Sequence, residues 1–437
     1  MSPHDRRLLG FWEVASIGVG GMVGGGIFAV LGLAVALAGG ATAVAFAIAG
    51  LVALLTAYSY AKLSVRFPSQ GGTIIFLDRA FGIDLFTGGM NVLLWISYVV
   101  MLALYAFAFG SYGATFFPAH HQHLIKHVLI SAGILLPTLL NMLNAKAVGK
   151  AESYIVGLKL TLLGLFVVVG LWGVDPGRIS PSTWAPPMQL VAGGMIIFLA
   201  YEGFELIANT AQDVRELEVT LPRAYFGSVG FVIALYVLVA VVTVGNLPLD
   251  RIVAAKDYAL AEAAKPFLGA TGFTLIAVAA LLSTFSAINA TLYGSARLSY
   301  MIAKEGELPS FVEHEVWNKP LEGLLITSVL ALILANTTAL ASISMMGSAG
   351  FLLIFAAVNA ANLTLARQTG ARRSLAAAGV VACLGALTAL VWQTARTSPS
   401  HLWALAAMAG LSFGIEAAYR FLGKRTLRLA AKEGESP

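Results

Sequence analysis

Cysteine is almost missing from this chain, and charge is scarce. A single cysteine, Cys383, in 437 residues leaves no disulfide framework and no cysteine metal site. Charged residues make up 11% against 58% apolar, too little polar surface to coat a water-solvated globule. The seven histidines (His4, His120, His121, His123, His127, His314 and His401) map to loops or the ends of apolar runs, which leaves none at membrane depth. The His-x-His spacing in "HHQHLIKH" is too weak a signal, and no metal is expected. The loop "RFPSQGGTIIFLDRAFG", 66–82, carries glycines and basic residues but lacks a GKS or GKT ending and any preceding strand. It is not read as a phosphate-binding loop. No basic patch is interleaved with exposed aromatics, so no nucleic acid partner is expected. No nucleophile–base pair or ligand set stands on facing segments, which argues against an intramembrane enzyme.

What the chain has is long apolar runs. About 20 residues at helical rise cross a hydrocarbon layer of roughly 30 Å. The runs predict twelve spans, near 11–37, 41–64, 85–113, 124–144, 151–173, 188–212, 224–246, 270–297, 323–342, 345–366, 374–394 and 402–421. Barrel strands would instead show segments of about ten alternating residues, so the expectation is an all-α integral membrane protein. The mostly polar first ten residues lead into a run too long for a signal peptide. With both termini cytoplasmic, most of the 27 basic residues fall inside. Only Lys126, Arg178, Arg251, Lys256, Lys265 and Arg396 fall outside, which favours a multi-pass protein of the cell membrane with an even number of spans. The segment 248–269 reads as an external helix able to cap a pathway, and the basic tail "RFLGKRTLRLAAKEGESP" as a contact for anionic lipid.

One stretch of the first span, "SIGVGGMVGGGIFAVLG", is at odds with an ordinary membrane helix. Glycine in a helix interior costs roughly 1 kcal/mol against alanine, and Gly18, Gly20, Gly21, Gly24, Gly25 and Gly26 crowd together here. Close helix packing is one reading. The other is an unwound hinge over residues 20–26, whose backbone faces a polar cavity, since unpaired backbone survives at membrane depth only there or against protein. The sixth span supplies a counterpart, "MIIFLAYEGFELIANTAQDV", where Glu202, Gly203 and Glu205 interrupt an apolar run at a cost of about 2.5–3.5 kcal/mol per charge. Spans one and six are first members of two five-helix halves. The predicted organisation is 1–173, 174–366, and 367–437 for helices 11 and 12 with the tail. Interrupted helices at matching positions of two repeats point to a transporter site near the midplane. Free N–H groups at the start of a half-helix suit a carboxylate, and free carbonyls at the end of one suit an ammonium. The aromatics Phe198, Tyr201 and Phe204 read either as packing or as a gate, with Phe198 or Leu199 placed to cover the site.

"GVGGMVGGGIF" resembles the first-helix signature of the amino acid–polyamine–organocation transporters. "FLAYEGFE" with "TLPRA", and "STFSAINATLYGSARLSYMIAKEGELP", resemble that family's sixth- and eighth-helix patterns. The resemblance implies a five-plus-five inverted repeat with broken helices 1 and 6, two extra C-terminal helices, and alternating-access transport of amino acids or amines. It also implies that the N–H groups of Gly24, Gly25 and Gly26 hold the substrate carboxylate, while carbonyls of Met22, Leu199 and Glu202 receive the amine. Gly25 stands where some members have serine, and Glu202 where the family is often apolar. Glu205 aligns with an acidic residue many members share; a purely structural carboxylate is the other reading.

Lys159, in "YIVGLKLTLLGLF", lies about nine residues into the fifth span, roughly 14 Å deep at helical rise. Snorkelling to the interface is one explanation. The resemblance implies another: proton-coupled members with this lysine place its ammonium where sodium would sit. First-helix carbonyls, here Gly20 and Val23, and eighth-helix hydroxyls, here Ser283 and Thr284, stand nearby. Burial disfavours a charged amine, whereas carbonyl and hydroxyl oxygens favour it, so such a group can exchange a proton as its surroundings change. The expectation is proton-coupled uptake of amino acids, neutral ones favoured, with the proton as coupling ion and no other cofactor. A cationic amino acid or polyamine carrier is the alternative, and a sensor or channel on the same scaffold is a different class.

Overall fold

In the computed structural model, residues 9–143, 146–304 and 321–422 are described. The basic tail beyond residue 422 and His4 and His314 lie outside the described residues. Helices follow in the order α1 (Phe11–Met22), α2 (Gly26–Ala38), α3 (Thr42–Arg66), α4 (Thr73–Phe81), α5 (Leu85–Ala114), α6 (Gln122–Leu143), α7 (Lys146–Gly170) and α8 (Pro187–Ile196). After two 3-10 segments, Phe198–Tyr201 and Phe204–Asp213, come α9 (Leu217–Asn246), α10 (Leu249–Ala255) and α11 (Ala259–Lys304). The described chain ends with α12 (Leu321–Thr337), α13 (Leu340–Thr364), α14 (Ala366–Thr369), α15 (Arg373–Thr397) and α16 (Ser400–Leu422). Among the described residues no strand forms, only isolated bridges.

Nine of these helices are long and apolar enough to cross a membrane, and up to eleven if each of two bent pairs counts as one span. The chain is therefore an all-α, multi-pass membrane protein. The predicted ninth span falls on α12, an apolar helix of 17 residues that begins at the edge of the described chain. Its boundary with the tenth needs correcting. The sequence reading broke the chain near 343–344, but α12 ends at Thr337 and α13 starts at Leu340. The cause is local. Asn336 and Thr337 turn their side chains onto the carbonyls of Leu332 and Ile333, and Ala339 is extended.

Burial runs opposite to that of a soluble protein. α5 and α13 thread the interior, while α6, α7, α15 and α16 turn broad apolar faces outward. Leu136, Val168, Trp172, Val381 and Trp403 are among the exposed large side chains, as a lipid-facing surface requires. α3 packs along α9 and α5 along α11, so the second and third members of the two predicted halves lie against each other.

Both predicted interruptions are real breaks. α1 and α2 meet at 48°, and α8 meets the Phe198–Asp213 segment at 47°. Glu202 is extended and Gly203 takes φ +116°, a conformation open essentially to glycine. Beyond it the chain runs ten residues as 3-10 helix, long for so tight a winding.

Candidate functional site

The two breaks touch each other. A Cβ added to Gly21 would lie 2.8 Å from the Gly203 carbonyl oxygen, and one added to Gly203 would meet the Gly21 backbone and the Met22 nitrogen at 2.6 Å. A Cβ on Gly26 would come within 2.9 Å of the Ala200 Cα. Close backbone approach is thus one reason for the glycines, and unwinding is the other. Several backbone groups at the breaks are met by hydroxyls, as an apolar interior favours. The Tyr236 hydroxyl of α9 donates to the Met22 carbonyl at 2.7 Å and lies 3.3 Å from that of Ala200, which ties the two breaks together. Ser283 donates to Gly24 at 2.7 Å and lies 3.3 Å from the Val23 carbonyl. Ser344 and Ser348 of α13 lie 2.7 and 3.0 Å from the Ile196 carbonyl, and the Leu199 N–H donates to Ser348.

Gly25 caps α2, whose first internal bond runs from the Ala29 N–H to the Gly25 carbonyl. The amides of Gly26, Ile27 and Phe28 therefore have no acceptor within the helix, and its positive end faces the break. Tyr105 of α5 covers this end. Its ring lies against Gly25, where an added Cβ would strike it, and Thr284 Cγ2 would stand 2.9 Å away on the other side. The Tyr105 hydroxyl donates to Glu202 at 3.1 Å.

A cavity of about 740 Å³ reaches this junction from the end of the molecule where α1 begins. Gly20, Gly21, Tyr105, Glu202 and Gly203 form its inner wall, and Trp12 and Glu13 stand at its mouth. Among the described residues on the wall, the charged side chains are Glu13 and Glu202, both acidic. A smaller hollow of about 50 Å³ continues past Glu202 to Glu205, Tyr98 and Asn209. Glu205 is held by the Gly203 N–H at 2.8 Å and the Tyr98 hydroxyl at 3.1 Å.

The candidate residues divide into two groups. Gly20 and Glu202 line the large cavity, and Glu205 lines the small one. Met22, Gly24, Gly25, Gly26, Phe198 and Leu199 are buried just behind the wall. The Leu199 carbonyl accepts from the Glu202 N–H at 3.1 Å. Phe198 packs on Phe355, Tyr201 on Phe46 and Tyr236, and Phe204 on Tyr60 and Phe355, so all three rings are packed against core aromatics. Lys159 is buried, and its ammonium donates to the Gly20 carbonyl at 3.1 Å. Ser283 reaches first-helix carbonyls, while the Thr284 hydroxyl turns to Ala280 of its own helix at 2.7 Å.

Sequence reasoning missed Tyr98, Tyr105 and Tyr236. The first two had a findable signal. They stand seven residues apart on α5, two helical turns on one face, and each meets one of the carboxylates three residues apart at the second break.

A set of contacts gathers at the end remote from the cavity mouth. The predicted cap 248–269 forms α10, a 3-10 turn at Lys256–Tyr258 and the start of α11, with a kink at Gly269. Asp257 of the turn pairs with Lys126 of α6 at 2.8 Å, and Ser111 of α5 lies 3.5 Å away. The Lys256 carbonyl abuts Gly32 of α2. Among the described residues, no three His, Cys, Asp or Glu side chains converge to hold a metal ion.

Comparison with known proteins agrees with this architecture. The profile of the family described as "Amino acid permease" matches residues 9–413. An uncharacterised protein of Methanocaldococcus jannaschii is 37% identical over 96% of this chain and 97% of its own length. The inner membrane transport protein YbaT of Escherichia coli is 34% identical, with 93% and 95% covered. The methylthioribose transporter of Bacillus subtilis is 25% identical, with 83% and 82% covered. The named relatives are transporters, not enzymes.

Proposed function

We propose that this chain, which belongs to the amino acid permease family and so is a membrane transporter of small molecules, is a proton-coupled carrier of amino acids that works by alternating access. Amino acids with uncharged side chains are its favoured substrates. The observation that carries the reading is the cavity ending where two broken helices meet, with the amides of one helix start behind a single tyrosine ring. A helix start without internal acceptors suits a substrate carboxylate. With the N-terminus cytoplasmic, as the basic residues suggest, the open cavity faces the cytoplasm and the cap around Asp257 seals the outside. In the alternate state these roles reverse, with the halves 1–173 and 174–366 as the moving parts.

Lys159 supplies the coupling. Its ammonium holds the Gly20 carbonyl on the wall of the open cavity, while Ser283 holds Val23 and Gly24 one turn further on. An ammonium has three donors and a neutral amine fewer, so loss of the proton loosens the tie between α1 and α7. Protonation from one side and release to the other then links the cycle to a proton gradient. The cationic-substrate reading draws on one observation, the Glu202 carboxylate on the cavity wall.

The test is counterflow in liposomes reconstituted with the full chain. A carrier accumulates labelled amino acid against unlabelled amino acid inside, saturably. A sensor binds without counterflow, and a channel conducts without saturation. An acid-outside gradient should drive net uptake by the wild type and fail to drive it in Lys159→Ala; equal uptake by both would end the coupling proposal.

A further inference from the structure

We propose that the Glu202 carboxylate receives the substrate's α-ammonium, exchanging the Tyr105 hydroxyl for it, and so restricts this carrier to compounds with an amine next to a carboxylate. The inference rests on the carrier reading above and goes beyond it by assigning the amine to a side chain. Three observations converge on Glu202.

First, two of the three backbone oxygens expected to receive an amine, those of Met22 and Leu199, already accept a hydrogen bond. The Met22 carbonyl accepts from Tyr236 at 2.7 Å and Leu199 from the Glu202 N–H at 3.1 Å. A substrate ammonium carries three donors and, out of water, needs strong acceptors for them. Second, Glu202 is a carboxylate on the inner wall of the large cavity, only 4% exposed, so an amine that reaches it leaves bulk water behind. A charge-assisted hydrogen bond there is worth more than one to a neutral carbonyl. Third, of the two side chains that hydrogen-bond Glu202, Glu205 and Tyr105, the second is a mobile kind of donor, the end of a tyrosine side chain. The same ring covers Gly25, and its hydroxyl would lie 3.7 Å from a Cβ on Gly24. One rotation of Tyr105 therefore frees two poles at once, the amide end of α2 and the carboxylate of Glu202.

Spacing sets the substrate class. The phenol hydroxyl reaches both the Glu202 carboxylate and the neighbourhood of Gly24. A carboxylate and an ammonium on one carbon bridge such a gap, whereas an amine three or four carbons away overshoots it. Glu205 hydrogen-bonds the Glu202 carboxyl from behind and does not line the large cavity. It faces the small hollow, where the Gly203 amide and Tyr98 already hold it.

The experiment is inhibition of alanine counterflow by lactate and by 4-aminobutyrate, on proteoliposomes of the wild type, Glu202→Gln and Tyr105→Phe. Glutamine keeps the shape and an oxygen for Tyr105, so the substitution removes charge with little effect on the fold. In the wild type, alanine should compete at least tenfold better than lactate, which lacks the amine, or 4-aminobutyrate, which misplaces it. Glu202→Gln should raise the alanine KM about tenfold or more and shrink the gap to lactate to within about threefold. Tyr105→Phe removes the competing donor and should hold or lower the alanine KM, which separates ligand exchange from a merely structural tyrosine–glutamate contact. Wild-type alanine counterflow with an unchanged alanine-to-lactate gap in Glu202→Gln would overturn the assignment and leave the carrier reading intact. A Tyr105→Phe protein that copies Glu202→Gln would also overturn it. Absence of amino acid counterflow in the wild type would defeat both readings together.

Discussion

Replacing Gly203 with alanine should damage this protein far more than one methyl group suggests. The residue sits at φ +116°, where a side chain costs about 1–2 kcal/mol against the following backbone. The new Cβ would also press on the Gly21 backbone and stand 2.6 Å from the Met22 nitrogen. Neither neighbour is a flexible side-chain end that could swing away, and overpacking of that kind costs about 1–3 kcal/mol. Together the two effects predict a loss of about 2–5 kcal/mol, concentrated where the two breaks cross. Gly164→Ala is the matched control. Gly164 lies within α7 with open space around its Cβ position, so alanine there should be neutral or stabilising by about 0.5–1 kcal/mol. The assay is thermal unfolding of both variants in detergent, followed by counterflow. The expected result is a clear drop in melting temperature and lost transport for Gly203→Ala, with neither for Gly164→Ala. A Gly203→Ala protein that melts and transports like wild type would refute the claim that the helix breaks are locked by glycine contact.

Further substitutions probe other parts of the junction. Gly25→Ala places a methyl on the Tyr105 ring and 2.9 Å from Thr284 Cγ2, so counterflow should fall at least tenfold while the protein still folds around a displaced Tyr105. Tyr236→Phe leaves the buried Met22 and Ala200 carbonyls without their hydroxyl donor. Melting should show a loss of about 1–3 kcal/mol. The Lys126–Asp257 pair is partly exposed and worth at most about 1 kcal/mol to stability, so Asp257→Asn should hardly shift melting. Its expected effect is on transport rate, and the charge-swapped pair Lys126→Asp with Asp257→Lys should recover that rate if the contact latches the closed end.

The breaks were readable because the physics that makes them necessary leaves a compositional trace. A membrane helix does not carry Gly20, Gly21, Gly24, Gly25 and Gly26 together, or Glu202-Gly203 in an apolar run, without reason. Lys159 was legible on the same ground, as a charge too deep for its surroundings. What reads out at the breaks is less legible. Tyr105 and Tyr236 are single aromatics in apolar helices, where packing alone would place them equally well, and only the fold brings one onto Gly25 and the other between Met22 and Ala200. Spacing could not show that the Thr284 hydroxyl turns to its own helix while the Ser283 hydroxyl beside it reaches across, because that depends on how α11 is rotated. The α12–α13 boundary slipped for a related reason. Apolar length sets roughly where a span ends, and the side chains of Asn336 and Thr337 set it finely.

The most direct measurement is an experimental density map of the full chain with alanine at saturating concentration. The account predicts alanine at the crossing of the two broken helices, its carboxylate on the amides at the start of α2, its ammonium on Glu202, and Tyr105 swung off Gly25. Alanine bound elsewhere, or α1 running unbroken into α2 through the glycine run, would contradict it.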